Sequence, residues 1–417
     1  MIDWTASMQQ TYEFYTVNPD TWKDDKKLTN IKSCSIVRDA DSDTLISATF
    51  DITELVGECY IRVYLVVTQN GVTEKHPLGT FLVQTPSSSF DGLVRSVSMD
   101  AYSPLLELTE DKPPFGYFIS KGADVMKYAY DLAQYNMRAP IDEPFTPSTI
   151  LHYDFVADTS DTYMTFIKDL IGAASVSKCY EVLPDGEKWF YTQREIDYPY
   201  GKGVEEITPK GTLTNRIFSY TNDDNQLAYF TLVESGYIQY KLEIDGMGKV
   251  TFVPNLEAKY MTPKWTYTDD NSSILEPSIS MNHDLYGIPN VVEVVYSAND
   301  KYIESRIVND DPNSPTSTIN RGREIVHREI NPNIHGEPTQ ELVDKFAEDL
   351  LSQLSSVEYT ISYTHGYCPV NIGDCVRLNY ERAGLTNIKA KVVYQSIKCR
   401  TGCTVSEKAV FTNKLWR

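Results

Sequence analysis

The chain has 417 residues, with 38 Lys+Arg against 58 Asp+Glu and a formal net charge of −20; it is too long for one ordinary core, so two to four domains are expected. Its 41% hydrophobic and 23% charged residues are those of a folded globular protein, which excludes wholesale disorder. So acidic a balance argues against duplex nucleic acid as a tightly held ligand, because phosphate binding is driven by Lys and Arg, and against an anionic membrane surface.

The start, Met1-Ile2-Asp3-Trp4-Thr5, has no basic segment followed by an apolar one, so no signal peptide is indicated. Residues 28–101 are β-rich. Ile46, Ala48, Phe50 and Ile52 alternate with polar or small neighbours, the period of a half-buried strand. Residues 60–69 do the same, and this apolar run, broken by Arg62, is far shorter than a membrane span. Asn70-Gly71 supplies the left-handed dihedrals of a type I′ hairpin, with Leu78-Gly79-Thr80-Phe81-Leu82-Val83 as the return strand and another strand over 93–101. Strands at this spacing predict a barrel or sandwich rather than a nucleotide-binding sheet.

Pro113-Pro114 marks a boundary. Beyond it Ser120 can cap a helix in which Val125, Met126, Ala129, Tyr130 and Ala133 share one face. Asp158-Thr159-Ser160-Asp161 offers capping oxygens to a second helix carrying Tyr163, Phe166, Ile167, Leu170 and Ile171, with Gly172 able to end it. A hairpin through Pro184-Asp185-Gly186 closes this small α+β region near Tyr198. From Ile207 strands return: Ile238, Tyr240, Leu242 and Ile244 alternate up to Asp245-Gly246, and Val250 and Phe252 come back. The loops 220–225 and 267–271 are similar, and convergence on acidic turns accounts for that better than duplication.

The last third reads as one pattern. A buried-strand run over 289–296 leads to a turn-rich arm, 314–323. An amphipathic helix near 339–354 carries Leu342, Val343, Phe346, Ala347, Leu350, Leu351 and Leu354 on one stripe, with Glu341 and Asp344 early, where the helix dipole favours anions. Such a stripe on a lone helix docks onto a sheet. Strands over 357–363, 375–380 and 389–398 again suit a barrel.

Little of this resembles chemistry. Cys368, Cys375, Cys399 and Cys403 have spacings of C-x6-C and C-x3-C, which miss the knuckles of structural zinc. Seven cysteines without export signals read as reduced thiols, with disulfides open to them outside a cell. His76, His152, His283, His327, His335 and His365 form no metal-binding spacing, and no nucleophile elbow, Walker, dinucleotide or EF-hand pattern occurs. Glu205-Glu206, Asp269-Asp270 and Asp310-Asp311 are adjacent acids. Neighbours on a strand face opposite ways and loop acids are usually solvated, so a two-carboxylate hydrolase is disfavoured. The expectation is no catalysis, no metal and no cofactor. One motif remains. Arg321 and Arg323 flank Gly322, and an extended backbone would put both on one face. The pair is either a fork for a carboxylate on a neighbouring subunit or part of a surface loop with intrachain ion pairs.

The order Asn290-Val291-Val292-Glu293-Val294, Ser314-Pro315-Thr316-Ser317-Thr318, Arg321-Gly322-Arg323, a helix, then Val370-Asn371-Ile372-Gly373-Asp374-Cys375-Val376 resembles the baseplate hub proteins of phage tails and related contractile injection particles. Gly79-Thr80-Phe81-Leu82-Val83 leading to Val97-Ser98-Met99-Asp100-Ala101 looks like the first barrel of that family. The resemblance implies an α+β, mainly β chain with two tube-like β-barrel domains, an inserted α+β domain, and assembly as a trimeric ring. The divisions it implies are 1–112 as the first barrel and 115–204 as the α+β insertion. Residues 205–300 would complete the first barrel and start the second, 301–356 form the arm and helix, and 357–417 supply the last strands. It implies a non-enzymatic structural hub in the virion tail baseplate, assembled in the host cytoplasm. The hub would join the tail tube protein to the central spike and other baseplate proteins. DNA would pass transiently through its lumen, without stable nucleic-acid binding and without a membrane. A wall of carboxylates would let phosphates slide. Arg321, Gly322, Arg323 and Trp416 would then lie at subunit interfaces. The chain stops at Arg417 without a lysozyme, peptidase or receptor-binding extension, so any such activity is expected of another protein. The alternative from a different class is a carbohydrate-binding or carbohydrate-active protein that uses some of its 29 Tyr as stacking platforms.

Overall fold

The structure is a computed structural model that describes residues 2–53, 57–90, 92, 95–142, 151, 154–173, 178–183, 191–193, 212–214, 217–221, 227–237, 240–255, 258–298, 301–330 and 339–416. The chain is mainly β with a few helices. It divides into two compact units, Met1–Ile279 with Tyr363–Ala409, and Ser280–Ser362 with Val410–Arg417.

The first unit is organised by one long sheet. Its path runs through Ile31–Asp39, Ile46–Ile52, Arg95–Tyr102, Val72–Phe90, Tyr60–Gln69, Gln9–Val17 and Asp24–Leu28. On the other side of Ile31–Asp39 lies Leu385–Lys398, antiparallel, with Tyr394 opposite Asp39. The C-terminal strands are thus attached directly to the N-terminal ones. Cys375–Tyr380 pairs with Leu385–Lys398, and Trp265–Thr268 adds to it in parallel.

Alternation behaves as expected in Ile46–Ile52, where Ile46, Ala48, Phe50 and Ile52 are buried and Thr49 and Asp51 are exposed. The Asn70-Gly71 hairpin forms too, with φ of 50° and 78° at its two central residues. Tyr60–Gln69 departs from the half-buried expectation, being covered on both faces. Ile61, Val63, Leu65 and Val67 point into the main core, while Tyr60 packs with Val17 and Leu82 on the other side. Arg62 is tolerated there because every nitrogen finds a partner. Nη1 meets Asp24 Oδ1 at 2.7 Å, Nε donates to Thr80 Oγ1 at 2.9 Å, and Nη2 donates to the Met247 carbonyl at 3.0 Å.

That last bond comes from the tip of a second hairpin, Tyr240–Ile244 with Val250–Pro254, in the register that the alternation of Leu242, Ile244, Val250 and Phe252 predicts. Its tip approaches the sheet closely enough that a Cβ on Gly246 would lie 2.1 Å from the Pro77 carbonyl oxygen. Only glycine fits without backbone movement. Trp22 Nε1 donates to the Met247 carbonyl at 2.8 Å and completes the seat.

Two helices pack together in this unit. Val125–Tyr135 buries Val125, Met126, Ala129, Leu132 and Ala133, the expected face. Its cap is Asp124, which accepts from the Lys127 N–H, and not Ser120, which stands too far upstream to reach the first turn. Asp124→Ala should lower stability by about 1 kcal/mol, the usual worth of an N-cap oxygen, in urea unfolding. Tyr163–Ala173 starts one residue after the Asp158–Asp161 run, with Thr162 Oγ1 accepting from the Thr165 N–H at 3.2 Å. The helix continues through Gly172 instead of ending there. Beyond it, Lys178–Leu183 and Tyr191–Gln193 are antiparallel within a five-stranded sheet. The expected turn at Pro184-Asp185-Gly186, the part of the loop 220–225 beyond Thr221, and the strand residue Ile238 lie outside the described residues, while Tyr220 and Thr221 end the strand Ile217–Thr221.

In the second unit Val291–Ala298 is the central strand of three, antiparallel to Lys301–Val308 and parallel to Val326–Ile330. The helix Gln340–Leu354 covers one face: Val343, Ala347 and Leu351 pack on Val292 and Val294, as the stripe requires. Among the described residues no helix is long and apolar enough to cross a membrane.

Candidate functional site

Three sequence motifs of the second unit meet in one place. Asn290, fully buried, holds them together: Nδ2 donates to the carbonyls of Thr316 and Arg323 at 3.1 and 3.0 Å, and Oδ1 accepts from the Ile325 N–H at 2.7 Å. Asn309 adds a second stitch, Nδ2 to Ser314 Oγ at 2.8 Å, and its carbonyl accepts from the Thr318 N–H. Ser314, Thr316 and Ser317 are buried with their polar atoms engaged in this knot. Side-chain amides and hydroxyls substitute here for a missing strand ladder, which lets an irregular arm be buried.

The arm carries Arg321, Gly322 and Arg323, and its conformation corrects the extended geometry expected of them. Ser317 caps a single helical turn, Thr318–Arg321, and Gly322 closes it in the left-handed region at φ 61°. The two arginines therefore do not share a face as on a strand. Arg321 is half-buried and already forked: Nη1 and Nη2 each donate at 2.7 Å, to the carbonyls of Ile288 and Leu285. Burial and the neighbouring Arg323 both pull its pKa down. Arg323 is exposed at the same end of the turn. Trp416 is also not a surface residue of this unit; it is 4% exposed, packed with Val343, Ala347 and Leu351.

The sheet face away from the helix is charged. Glu293 sits between Arg328, at 2.6 Å, and Arg306, at 3.3 Å, on the two flanking strands, and Arg306 also meets Glu324 at 2.7 Å. The arginines, Arg328 foremost, hold the Glu293 carboxyl below its usual range. Around this line stand exposed Tyr302, Val326 and Ile330.

The first unit contains a buried polar centre that sequence patterning did not reveal. Glu407 is its middle. Oε1 accepts from Tyr363 Oη at 2.5 Å and Tyr267 Oη at 3.3 Å, while Oε2 accepts from Gln395 Nε2 at 2.5 Å and lies 3.3 Å from His365 Nε2. His365 Nδ1 is 2.7 Å from the Gly366 carbonyl, so the imidazolium has an acceptor at each nitrogen. Cys368 Sγ lies 3.5 Å from Tyr267 Oη. Arg38 extends the network, donating to Gln395 Oε1 at 2.9 Å and the Leu78 carbonyl at 2.8 Å. Burial alone would push His365 down, but its contacts with Cys368 and Glu407 hold it up to about 10. Burial would likewise raise Glu407, and His365, Gln395 and Tyr363 together bring it below the carboxylate value. Both directions favour the His⁺–Glu⁻ form of this buried contact. All of these groups are enclosed, which suits holding strands in register better than turning over a substrate.

The other candidates separate. Cys375 lies beside the Ala258 carbonyl. Asp269 is paired with Arg382, while Asp270 and Asp311 turn back on the N–H groups of Ser272 and Asn313. Glu205-Glu206 lies outside the described residues. Of the tyrosines offered for glycan stacking, Tyr60, Tyr267, Tyr363, Tyr367 and Tyr380 are core residues; Tyr135, Tyr286 and Tyr302 are exposed.

No family model matches the chain, and no curated protein does. Solved structures match it end to end. The tail protein of Neisseria meningitidis MC58 aligns with TM-score 0.56 at 11% identity over 96% of both chains. The 43 kDa tail protein of prophage MuSo2 from Shewanella oneidensis aligns with TM-score 0.54 at 10% identity, over 97% of this chain and 98% of that one. At such identity the likeness establishes a shared fold: this chain has the fold of those two tail proteins.

Proposed function

We propose that the chain is a non-enzymatic structural subunit of a phage-type tail, and more narrowly its baseplate hub. In this reading three copies form a ring built from two tube-like barrels per subunit. The ring joins the tail tube to the central spike, in a virion tail or a related injection particle assembled in the host cytoplasm, and DNA crosses its lumen. The observation that carries the reading is the end-to-end likeness in fold to two tail proteins. The net charge of −20 fits a channel through which polyphosphate must move without sticking. The polar centre around Glu407 and the knot around Asn290 fit a part selected for fixed shape.

Negative-stain imaging of the purified protein tests the reading. The expected result is a threefold ring with a central hole, and a monodisperse monomer at micromolar concentration would sink it. Within the trimer, Arg323 takes the role of partner to a neighbouring carboxylate, since Arg321 is occupied within its own chain. Arg323→Glu is accordingly expected to weaken trimerisation roughly tenfold or more, the cost of a like-charge contact at an interface. Light scattering over a dilution series reads this; an unchanged mass removes Arg323 from the interface.

A further inference from the structure

Three thiols converge in the first unit at the junction of its N-terminal and C-terminal strands. Ile36 faces Ile397 and Ser35 faces Lys398 across the antiparallel pair. One step further the same register sets Cys34 opposite Cys399, and the Cys399 N–H donates to the Cys34 carbonyl at 3.0 Å. Directly opposed residues on antiparallel strands project to the same face with Cβ atoms about 4.5–5.5 Å apart. The lower end of that range meets the roughly 3.5–4.5 Å Cβ separation of a disulfide. A backbone shift of about 1 Å or less closes the gap, while rotation about χ1 aims the two sulfurs at each other.

The surroundings give the two sulfurs different parts. Cys34 is buried and Cys399 half-buried, and both pack in the main apolar cluster, as does Cys403 from the following turn. Tyr12 borders the group, its hydroxyl donating to the Arg400 carbonyl at 2.9 Å. All three sulfurs are free thiols, and among the described residues no three His, Cys, Asp or Glu side chains are placed to hold a metal ion.

We propose that Cys34 and Cys399 are an oxidation site, forming an intramolecular disulfide that staples strand Ile31–Asp39 to the end of strand Leu385–Lys398 when the protein meets a small-molecule disulfide. The half-buried Cys399 thiolate attacks one sulfur of oxidised glutathione, expelling glutathione thiolate and leaving a mixed disulfide on Cys399. Cys34 gives up its proton to solvent and attacks Cys399 Sγ, expelling a second glutathione thiolate. Two protein thiols are oxidised, one glutathione disulfide is reduced to two thiols, and the two protons end on those thiols. Burial, reinforced by Cys399, pushes the Cys34 thiol up, so the closing step is the slow one and quickens with pH. Burial holds Cys403 up to about 12, which makes it a poor competitor. The staple closes a loop that includes most of the chain, the case in which cross-linking constrains the unfolded state most. It does not depend on the tail reading and would survive that reading's failure.

The test treats the full-length chain with oxidised glutathione, alkylates the remaining thiols, and maps unreduced peptides by mass spectrometry. The expected result is a Cys34–Cys399 linked peptide, with two fewer free thiols per chain. An upward shift in Tm of roughly 5 °C should accompany it and be reversed by dithiothreitol. Cys403→Ser should keep the link and the shift, and Cys399→Ser should lose both. A Cys399–Cys403 link, an oxidation that stops at the glutathione adduct, or a link between chains would overturn the proposal. If Cys399→Ser fails to fold, the wild-type peptide map decides alone.

Discussion

Glu407→Ala should destabilise the first unit by about 3–5 kcal/mol, because removing one partner of a buried ion pair leaves the other charge uncompensated. The alanine also orphans Tyr363 Oη and Gln395 Nε2, each of which donates to the lost carboxylate at 2.5 Å. His365→Leu in the same chain removes the stranded charge, so the double variant should recover part of the loss; urea unfolding of the four proteins measures the coupling. The same centre predicts a pH dependence. His365 is raised above its unfolded value to about 10, so its contribution is complete below about pH 6.5 and is lost as pH rises through 10. Glu407 is lowered, so its contribution is present above the unfolded carboxylate range near 4.3 and is lost as pH falls below it. Stability from this centre is therefore greatest between about pH 4.5 and 6.5. Across pH 6.5–10 the wild type should lose on the order of 3–5 kcal/mol that His365→Gln does not lose. Equal slopes for the two proteins would show that His365 is neutral in the fold. Tyr267, Tyr363 and Cys368 face the same pair, and burial pushes both phenols well up. The two phenols add no competing titration in that window.

Asn290→Ala should be nearly as costly and far more local. It leaves the carbonyls of Thr316 and Arg323 and the N–H of Ile325 without their side-chain partner in a buried site. At about 1–3 kcal/mol for each stranded group, partly relieved by water entering the arm, the loss is about 3–5 kcal/mol. Asn290→Asp keeps the acceptor but sets a carboxylate against two carbonyls, and should be no better. Hydrogen exchange distinguishes this from a general loosening. Residues 314–325 should lose protection while strands Ile46–Ile52 and Tyr60–Gln69 keep theirs. Uniform loss, or none, would mean that the arm is held by something other than Asn290.

Much of the architecture could be read from the residues, because it rests on period and turn chemistry. The Ile46–Ile52 alternation, the Asn70-Gly71 hairpin and the Val343–Ala347–Leu351 stripe each follow from local physics. Arg321 and Arg323 were misread because spacing on a strand was weighed and capping was not. Ser317 at one end and Gly322 at the other are the signature of a capped helical turn. The Glu407 centre was illegible for a different reason: Tyr267, Tyr363, His365, Gln395 and Glu407 come from four strands that only tertiary pairing brings together. A trace of it was present in Val405, Glu407 and Ala409. There a carboxylate occupies the buried side of an alternating run, a position that demands a partner.

The pairing of Ile31–Asp39 with Leu385–Lys398 has a consequence for synthesis. At ordinary translation rates the first strand leaves the ribosome about half a minute before its partner exists. During that interval its outer edge offers unpaired N–H and C=O groups to any other nascent chain. The edge carries Lys32 and Arg38, and its neighbours at Asp39 and Asp41 are acidic; charges of this kind discourage edge-to-edge pairing while the strand waits. The first sheet must thus be delivered unfinished. Its completion waits on a long-range pairing, the kind of contact that forms slowly because a large loop must close first.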